Sequence, residues 1–269
     1  MMYIGIVGAL SSLGKGVIAE LEKHPSEFKI VFRVDDRYPD KNLVSGEFQH
    51  LEQMLSFNIS SSLVLDFGAP EGIFERAKFY RTYEMPAIMQ CVFGAEKSAI
   101  LENIRGLSSN HHSPLILVPD FSIIKTLMMK NLKAIAKYLV CDIDCVRIDV
   151  LYNTERYCNQ NQWIYWAQSI NHELGEFTDI YRMNGNTLIS GFVQYGFMRI
   201  SPLGKNEESI TSQVLSHKKE VVFGCEMRYN LLDSRIKGVL KVLDWYCAQK
   251  ALLANAANNL YVDKLSELI

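Results

Sequence analysis

The chain has 269 residues, 48% hydrophobic and 22% charged, with 16 Gly and 7 Pro. That is ordinary globular composition, and it excludes a disordered, collagen-like or supercharged chain. The balance of 28 basic against 30 acidic residues, net −2, leaves no electrostatic footprint for nucleic acid. No apolar run reaches the roughly 18 residues of a transmembrane helix, and the opening MMYIGIVGAL lacks the basic region of a secretory signal. A chain this long buries a sizeable core without disulfides or metals, as two domains or one large one.

The first 140 residues alternate strand-like and helix-like stretches. Tyr3–Val7 is a short apolar run ending in a glycine turn, and Gly14–Lys23 has helical spacing with Val17, Ile18 and Leu21 on one face. Phe28–Val34 and Ser62–Asp66 read as strands. Pro70 then opens a helical stretch, since proline's missing N–H is not needed in a first turn. Pro86–Val92 is strand-like, Glu96–Leu107 helical, and Pro114–Val118 strand-like. This alternation predicts a parallel sheet covered by helices. A long helix follows over Ile123–Leu139. From Val146 the texture changes to strand-like runs, Val146–Leu151, Leu188–Ile200 and Lys218–Gly224, with a helix only at Ile164–Leu174. That block predicts an α+β domain with a mixed sheet. Ser234–Ala257 is a closing helical region.

Six cysteines, Cys91, Cys141, Cys145, Cys158, Cys225 and Cys247, are scattered through apolar surroundings. They read as free thiols in a reducing compartment, hence a cytoplasmic protein. No second Cys or His pair follows Cys141 and Cys145 at zinc-site spacing, so no metal site is expected.

The chemistry sits in the first turn. Ile4-Gly5-Ile6-Val7-Gly8-Ala9-Leu10-Ser11-Ser12-Leu13-Gly14 is a strand, a glycine turn and a helix start. Such a turn lets backbone amides approach a pyrophosphate, and the helix start carries partial positive charge toward it. A larger residue at Gly8 is expected to block that approach. The second strand ends in Val34-Asp35-Asp36-Arg37. An Asp there accepts hydrogen bonds from a ribose 2′-hydroxyl, whereas a nearby Arg pairs with a 2′-phosphate. The cofactor is therefore read as NAD or NADP, with Asp35 tipping the balance slightly toward NAD.

Several segments resemble the dihydrodipicolinate reductase (4-hydroxy-tetrahydrodipicolinate reductase) family. The first turn resembles its V-x-G-x-x-G-R-M-G, with Ser11, Ser12 and Leu13 in place of Gly, Arg and Met. Leu65-Asp66-Phe67-Gly68-Ala69-Pro70-Glu71 resembles V-D-F-T-x-P-E, and Val118-Pro119-Asp120-Phe121-Ser122-Ile123 resembles A-P-N-F-S-I. Gly238-Val239-Leu240-Lys241 with Trp245, and Leu260-Tyr261-Val262-Asp263-Lys264-Leu265, resemble two closing motifs. The resemblance implies an N-terminal Rossmann-like domain over 1–122, to which 234–269 returns, and a substrate and oligomerisation domain over 123–233. It also implies a homo-oligomer, usually a tetramer, acting on a small molecule of the lysine and diaminopimelate route. The cofactor contacts it implies are Gly8, Leu10, Ser12, Leu13, Asp35, Phe67, Gly68, Asp120 and Phe121.

The departures fall on the chemistry. The family's H-H-R-x-K-x-D-A-P-S-G-T-A stretch would follow the first strand of the second domain. Here Leu151 and Tyr152 stand about where its two His would be, Glu155 where its Lys would be, and no S-G-T follows. The family's G-T-T-G turn is replaced by Gln90-Cys91-Val92-Phe93-Gly94. Hydride transfer leaves charge that a proton donor or a cation must neutralise, and Leu151 supplies neither. His111-His112 comes too early in the chain for that role. Arg147, Tyr152, Arg156 and Tyr157 are in the right segment, while Arg228 and Arg235 read as surface charges. Met128-Met129 and the Trp163, Trp166 pair read as packing. No catalytic residue is assigned. The sequence leaves two readings: an NAD(P)H-dependent reductase, or a catalytically impaired relative that binds a nucleotide as a regulatory oligomer.

Overall fold

The computed structural model describes residues 1–38, 46–55, 63–69, 72–91, 97–107, 113–127, 130–131, 143–152, 177–182, 189–193, 196–202, 207–216, 221–253, 260–262 and 264–269. The chain divides into two compact units. One comprises Met1–Val92, Glu96–Phe121 and Arg235–Leu268; the other comprises Phe93–Ala95, Ser122–Ser234 and Ile269.

The first unit is built on a seven-stranded sheet. Its strands are β1 (Met2–Val7), β2 (Phe28–Val34), β3 (Glu47–Phe48), β4 (Leu63–Asp66), β5 (Ala87–Gln90), β6 (Leu115–Val118) and the C-terminal β13 (Leu260–Val262). They lie in the order β13-β6-β5-β4-β1-β2-β3, and every pairing is parallel. The sequence dictates this. Ile4 and Ile6, all of Leu63–Leu65, Ala87–Met89 and Leu115–Val118 have no exposed surface, as expected of strands buried on both faces. Parallel neighbours need crossovers: α1 (Ser12–Leu21) joins β1 to β2, α3 (Ile73–Thr82) joins β4 to β5 and α4 (Lys97–Gly106) joins β5 to β6, while α2 (Leu51–Leu55) lies on the return from β3 to β4. In α1 the buried Leu13, Val17 and Leu21 recur every four residues, a stripe at helical period. The chain leaves β1 to build β2 and β3 on one side, then returns to build β4, β5 and β6 on the other. The order therefore reverses between β1 and β4, and such switch points are where open α/β sheets bind ligands, beyond the carboxyl ends of the strands.

The fold is the expected one, a parallel Rossmann-like unit plus a mixed-sheet unit, but some elements differ from the sequence reading. α3 starts at Ile73 rather than at Pro70, which lies outside the described residues; its N-cap, Gly72, sits at φ 75°, a left-handed conformation suited to glycine. In the second unit a six-stranded sheet runs in the order β12-β11-β7-β10-β9-β8. Its strands are β7 (Ile143–Tyr152), β8 (Phe177–Arg182), β9 (Ile189–Val193), β10 (Gly196–Pro202), β11 (Glu207–Ser216) and β12 (Val221–Asn230). β7 and β10 are parallel and the other pairs antiparallel, so the sheet is mixed. The single run expected over Leu188–Ile200 is two strands, β9 and β10, paired antiparallel. The helix expected over Ile164–Leu174 lies outside the described residues, and the one over Ile123–Leu139 is described only at 123–127 and 130–131.

The closing helix is Leu231–Leu253, with Val239, Val242, Leu243 and Tyr246 buried. Gly238 lies so close to the chain end of β6 that a β-carbon there would stand 1.8 Å from the Phe121 carbonyl oxygen. This contact locks the helix to the segment after β6. Among the described residues no helix is long and apolar enough to cross a membrane, and Cys91 and Cys247 are not in disulfides. Gly238→Ala gains helix propensity, but its methyl group collides with backbone that has no room to move. It is expected to lower unfolding stability by about 1–3 kcal/mol in urea titration; an unchanged or raised midpoint would show that the helix is not held at that contact.

Candidate functional site

β1 ends in Gly8, at φ 72°. The Gly8 and Ala9 amides both donate to the Val34 carbonyl, at 2.8 and 3.2 Å, and the Ser11 amide donates to the Gly8 carbonyl at 3.0 Å. A β-carbon on Gly8 would lie 2.6 Å from the Phe67 carbonyl oxygen. Glycine is thus required both by the left-handed backbone and by the neighbouring loop. A valine at position 8 would strike the protein's own backbone, so that substitution reports on folding and cannot isolate the approach of a pyrophosphate. Gly14 is equally confined: its β-carbon would stand 2.3 Å from the Gly8 carbonyl oxygen, so α1 starts directly against the turn.

Ser11 caps α1, its hydroxyl accepting the Gly14 amide at 2.9 Å. The Lys15 amide closes the first helical bond onto the Ser11 carbonyl at 2.9 Å. The amides of Ser12 and Leu13 make no hydrogen bond among the described residues, and Ser12 is exposed. They are the two donors that the first turn of a helix leaves over after its cap, and they carry the positive end of the helix dipole.

Two carboxylates flank this turn. Asp35, just past β2 and 5% exposed, accepts the Leu10 amide at 2.8 Å on Oδ2. Arg37 forks onto it, Nε to Oδ1 and Nη2 to Oδ2, both at 2.7 Å. The Arg37 amide adds a bond to Oδ1 at 3.2 Å. Burial acts to raise the pKa of Asp35, but the Arg37 side chain, the Leu10 and Arg37 amides and the Arg37 charge outweigh it, and the carboxyl lies below its ordinary range. Asp66, the last residue of β4, is fully buried. It accepts the Gly68 amide at 2.8 Å, Arg76 Nε at 2.8 Å and the Tyr80 hydroxyl at 2.9 Å. Arg76 also donates to the Ala69 carbonyl at 2.7 Å. Burial, and then the Asp66 charge, push the Tyr80 phenol far above its usual range, so it stays a donor.

Between these two systems lies a cleft of about 630 Å³. Gly8 and Ser11 line it from the turn, Asp35 to Arg37 from the end of β2, Phe67 to Ala69 and Arg76 from the far side, and Gln49 to Glu52 from the start of α2. Of the residues singled out in the sequence, Gly8, Asp35, Phe67 and Gly68 meet here. The others stand differently. The Leu10 amide is committed to Asp35, so it is not a free donor for a phosphate. Phe121 is fully buried, edge-on to Phe67 with ring centroids 5.9 Å apart. Asp120 is 5% exposed and has Arg235 Nε 3.8 Å from its Oδ1. Asp35 does not present an open carboxylate, because Arg37 fills the positions a ribose hydroxyl would take.

Two arginines escaped the sequence reading. Arg76 and Tyr80 are four apart in α3 and so share a face; with an aspartate closing the preceding strand, that pairing was the available signal. Arg235, read as a surface charge, is instead a tethered side chain of the first unit, its Nη2 donating to Gln90 Oε1 at 2.7 Å. His111, His112, Met128, Met129, Glu155, Arg156, Tyr157, Trp163 and Trp166 lie outside the described residues, and Leu151 and Tyr152 close β7. Among the described residues no group of His, Cys, Asp and Glu could hold a metal ion.

No family model matches the chain, and no curated protein matches it. Among solved structures it is similar to the dipicolinate-bound dihydrodipicolinate reductase from Paenisporosarcina sp. TG-14, with a TM-score of 0.68, 16% identity and both chains covered in full. It is similar to the WlbA dehydrogenase from Thermus thermophilus, solved with NAD and UDP-GlcNAcA, with a TM-score of 0.58 at 10% identity over 96% of this chain and 94% of that one. An oxidoreductase from Agrobacterium radiobacter, in complex with NAD+, L-tartaric acid and magnesium, gives 0.56 at 10% identity over 99% and 93%. What the chain shares with these proteins is the fold, a Rossmann-like unit followed by a sheet-based second unit.

Proposed function

We propose that the protein is an NAD(P)H-dependent oxidoreductase of dihydrodipicolinate reductase type, cytoplasmic and homo-oligomeric. Its substrate on this reading is a cyclic imine or enamine dicarboxylate of lysine and diaminopimelate biosynthesis, or a related small molecule. The observation that carries the proposal is the pair of uncommitted amides, Ser12 and Leu13, at the start of α1 and next to the glycine turn that lines the cleft. A diphosphate fits that chemistry: two donors, the positive helix end, and a turn too tight for any side chain. When bound, the nicotinamide supplies the hydride. The chain's own residues hold the nucleotide and shield it from water.

The acid at the end of β2 points to the phosphorylated cofactor. A ribose 2′-hydroxyl would have to displace Arg37 from Asp35, breaking a bidentate charged pair. A 2′-phosphate would instead meet a guanidinium already held in place and 56% exposed. The geometry therefore favours NADPH, against the slight tilt toward NAD in the bare sequence. A second reading, nucleotide binding without turnover, is favoured by Leu151 and Tyr152 standing where the resembled family has its histidines. Loss of NADPH absorbance with dihydrodipicolinate-type substrate separates the two.

Three expectations follow from this geometry. Ser12→Glu places a negative charge beside the free amides. The charge favours the helix itself but repels a diphosphate. The variant should keep its thermal midpoint and lose NADPH affinity by about tenfold or more in calorimetry, roughly 1.4 kcal/mol; wild-type affinity in a folded variant overturns the cradle. Arg37→Ala should weaken NADPH more than NADH, and an equal loss of both would show that Arg37 does not read the 2′-phosphate. The Asp35 clamp is stabilising at pH values above the ordinary carboxyl pKa of about 4 and is lost as pH falls through the lower pKa of the folded protein. Asp35→Asn should therefore flatten the acid limb of the stability profile below about pH 4; an unchanged limb assigns it to other groups.

A further inference from the structure

A dicarboxylate substrate asks for a cation, and Glu155 stands where the resembled family has its lysine. The three arginines at the carboxyl end of the first sheet, Arg37, Arg76 and Arg235, balance Asp35, Asp66 and Asp120. Among the described residues two further cations are buried, Arg81 at 1% and Lys125 at 2% exposure. Arg81 donates to the Ser113 carbonyl, just ahead of β6 and so at the opposite end of the sheet. Lys125 comes seven residues after Val118, the last residue of β6, on the side where open α/β sheets hold their ligands. Phe121, four residues before it, packs edge-on to Phe67 of the cleft wall.

The backbone at Lys125 is fixed by two buried serines of the second unit. Ser122 Oγ accepts the Lys125 amide at 3.3 Å, and the Ser122 carbonyl accepts the Thr126 amide at 3.0 Å and its hydroxyl at 2.9 Å. Ser234 Oγ accepts the Ile124 amide at 3.2 Å and lies 3.1 Å from Ser122 Oγ. A lysine is rarely buried to this degree, because its ammonium gives up water there. For the fold alone an apolar residue of similar length would cost less. For an anionic ligand, a desolvated ammonium is a strong point charge. We propose that Lys125 anchors the substrate: its ammonium donates charge-assisted hydrogen bonds to one carboxylate, the role that Glu155 cannot fill. This assignment rests on the dicarboxylate reading above and deepens it to a named residue.

The test uses three probes on the full-length protein by calorimetry: NADPH, pyridine-2,6-dicarboxylate as a planar ring dicarboxylate, and its uncharged diamide. Wild type should bind the dicarboxylate about tenfold or more tightly than the diamide. Lys125→Met should weaken the dicarboxylate by about the same factor, leave NADPH unchanged, and bind dicarboxylate and diamide alike. Lys125→Arg, which keeps the charge, should restore a preference for the dicarboxylate. Equal affinity of wild type for dicarboxylate and diamide overturns the assignment without any variant having to fold. Wild-type affinity for the dicarboxylate in folded Lys125→Met also overturns it. So does an equal loss of NADPH and dicarboxylate in that variant, because Lys125 would then act on the fold. If NADPH binds wild type and the dicarboxylate does not, the nucleotide cradle stands and this assignment fails. If neither binds wild type, both fail together.

Discussion

The cleft depends on Asp66. A carboxylate with no exposed surface is stable only if its oxygens are filled by donors, and removing one partner of such a buried pair typically costs about 3–5 kcal/mol. Asp66 is filled from three directions: a backbone amide two residues on, a guanidinium on α3 and a phenol one turn further along it. Its bond to Gly68 bends the chain back immediately after β4. That bend carries the Phe67 carbonyl to where only glycine at position 8 leaves room. The shape of the first turn is therefore set from β4 as well as from β1, by a charge that never faces the ligand space itself.

This explains how an imperfect glycine pattern still makes a tight strand-to-helix turn. The familiar fingerprint asks for three glycines, for a tight turn, for close ligand approach and for helix packing. Gly8 and Gly14 meet the first and third demands, as their blocked β-carbon positions show. The middle position is Ser11, whose hydroxyl is turned to the Gly14 amide as a helix cap. Its side chain is spent on the protein, and the two amides that follow it are left over. The Leu10 amide, by contrast, is taken by Asp35, so the turn is tied to the end of β2 rather than left as an open loop.

The parallel sheet was readable because its strands are nearly unbroken apolar runs, Leu63–Leu65 and Leu115–Val118 above all, and because helical stripes separate them. The second sheet was readable only as a change of texture. β11, Glu-Glu-Ser-Ile-Thr-Ser-Gln-Val-Leu-Ser, has few apolar residues, and its place between β7 and β12 comes from backbone pairing over nine residues on one side and eight on the other. Local pattern does not report such pairing. The site was partly readable for the same reason. Gly8 and Asp35 lie at strand ends, where position alone suggests a role. Arg235 meets Gln90 across a sequence separation of 145, and no periodicity carries that information.

The carboxyl-terminal end of the sheet carries one charge arrangement three times. Asp35 after β2, Asp66 at the end of β4 and Asp120 after β6 each face an arginine: Arg37, Arg76 and Arg235. Uncompensated acids at the carboxyl ends of these strands would repel any phosphate, by several kcal/mol each at short range in a partly dry site. Each acid is instead cancelled locally, and the guanidinium that cancels it is held in a fixed plane. Arg37 is the most exposed of the three, Arg235 less so, and Arg76 the least, at 56%, 23% and 15%. The outermost stands beside β2, and the innermost beside the glycine turn, where the backbone amides already provide the donors. The acids thus give the sheet end its rigidity without its charge, and what a dinucleotide would meet there is a row of oriented donors.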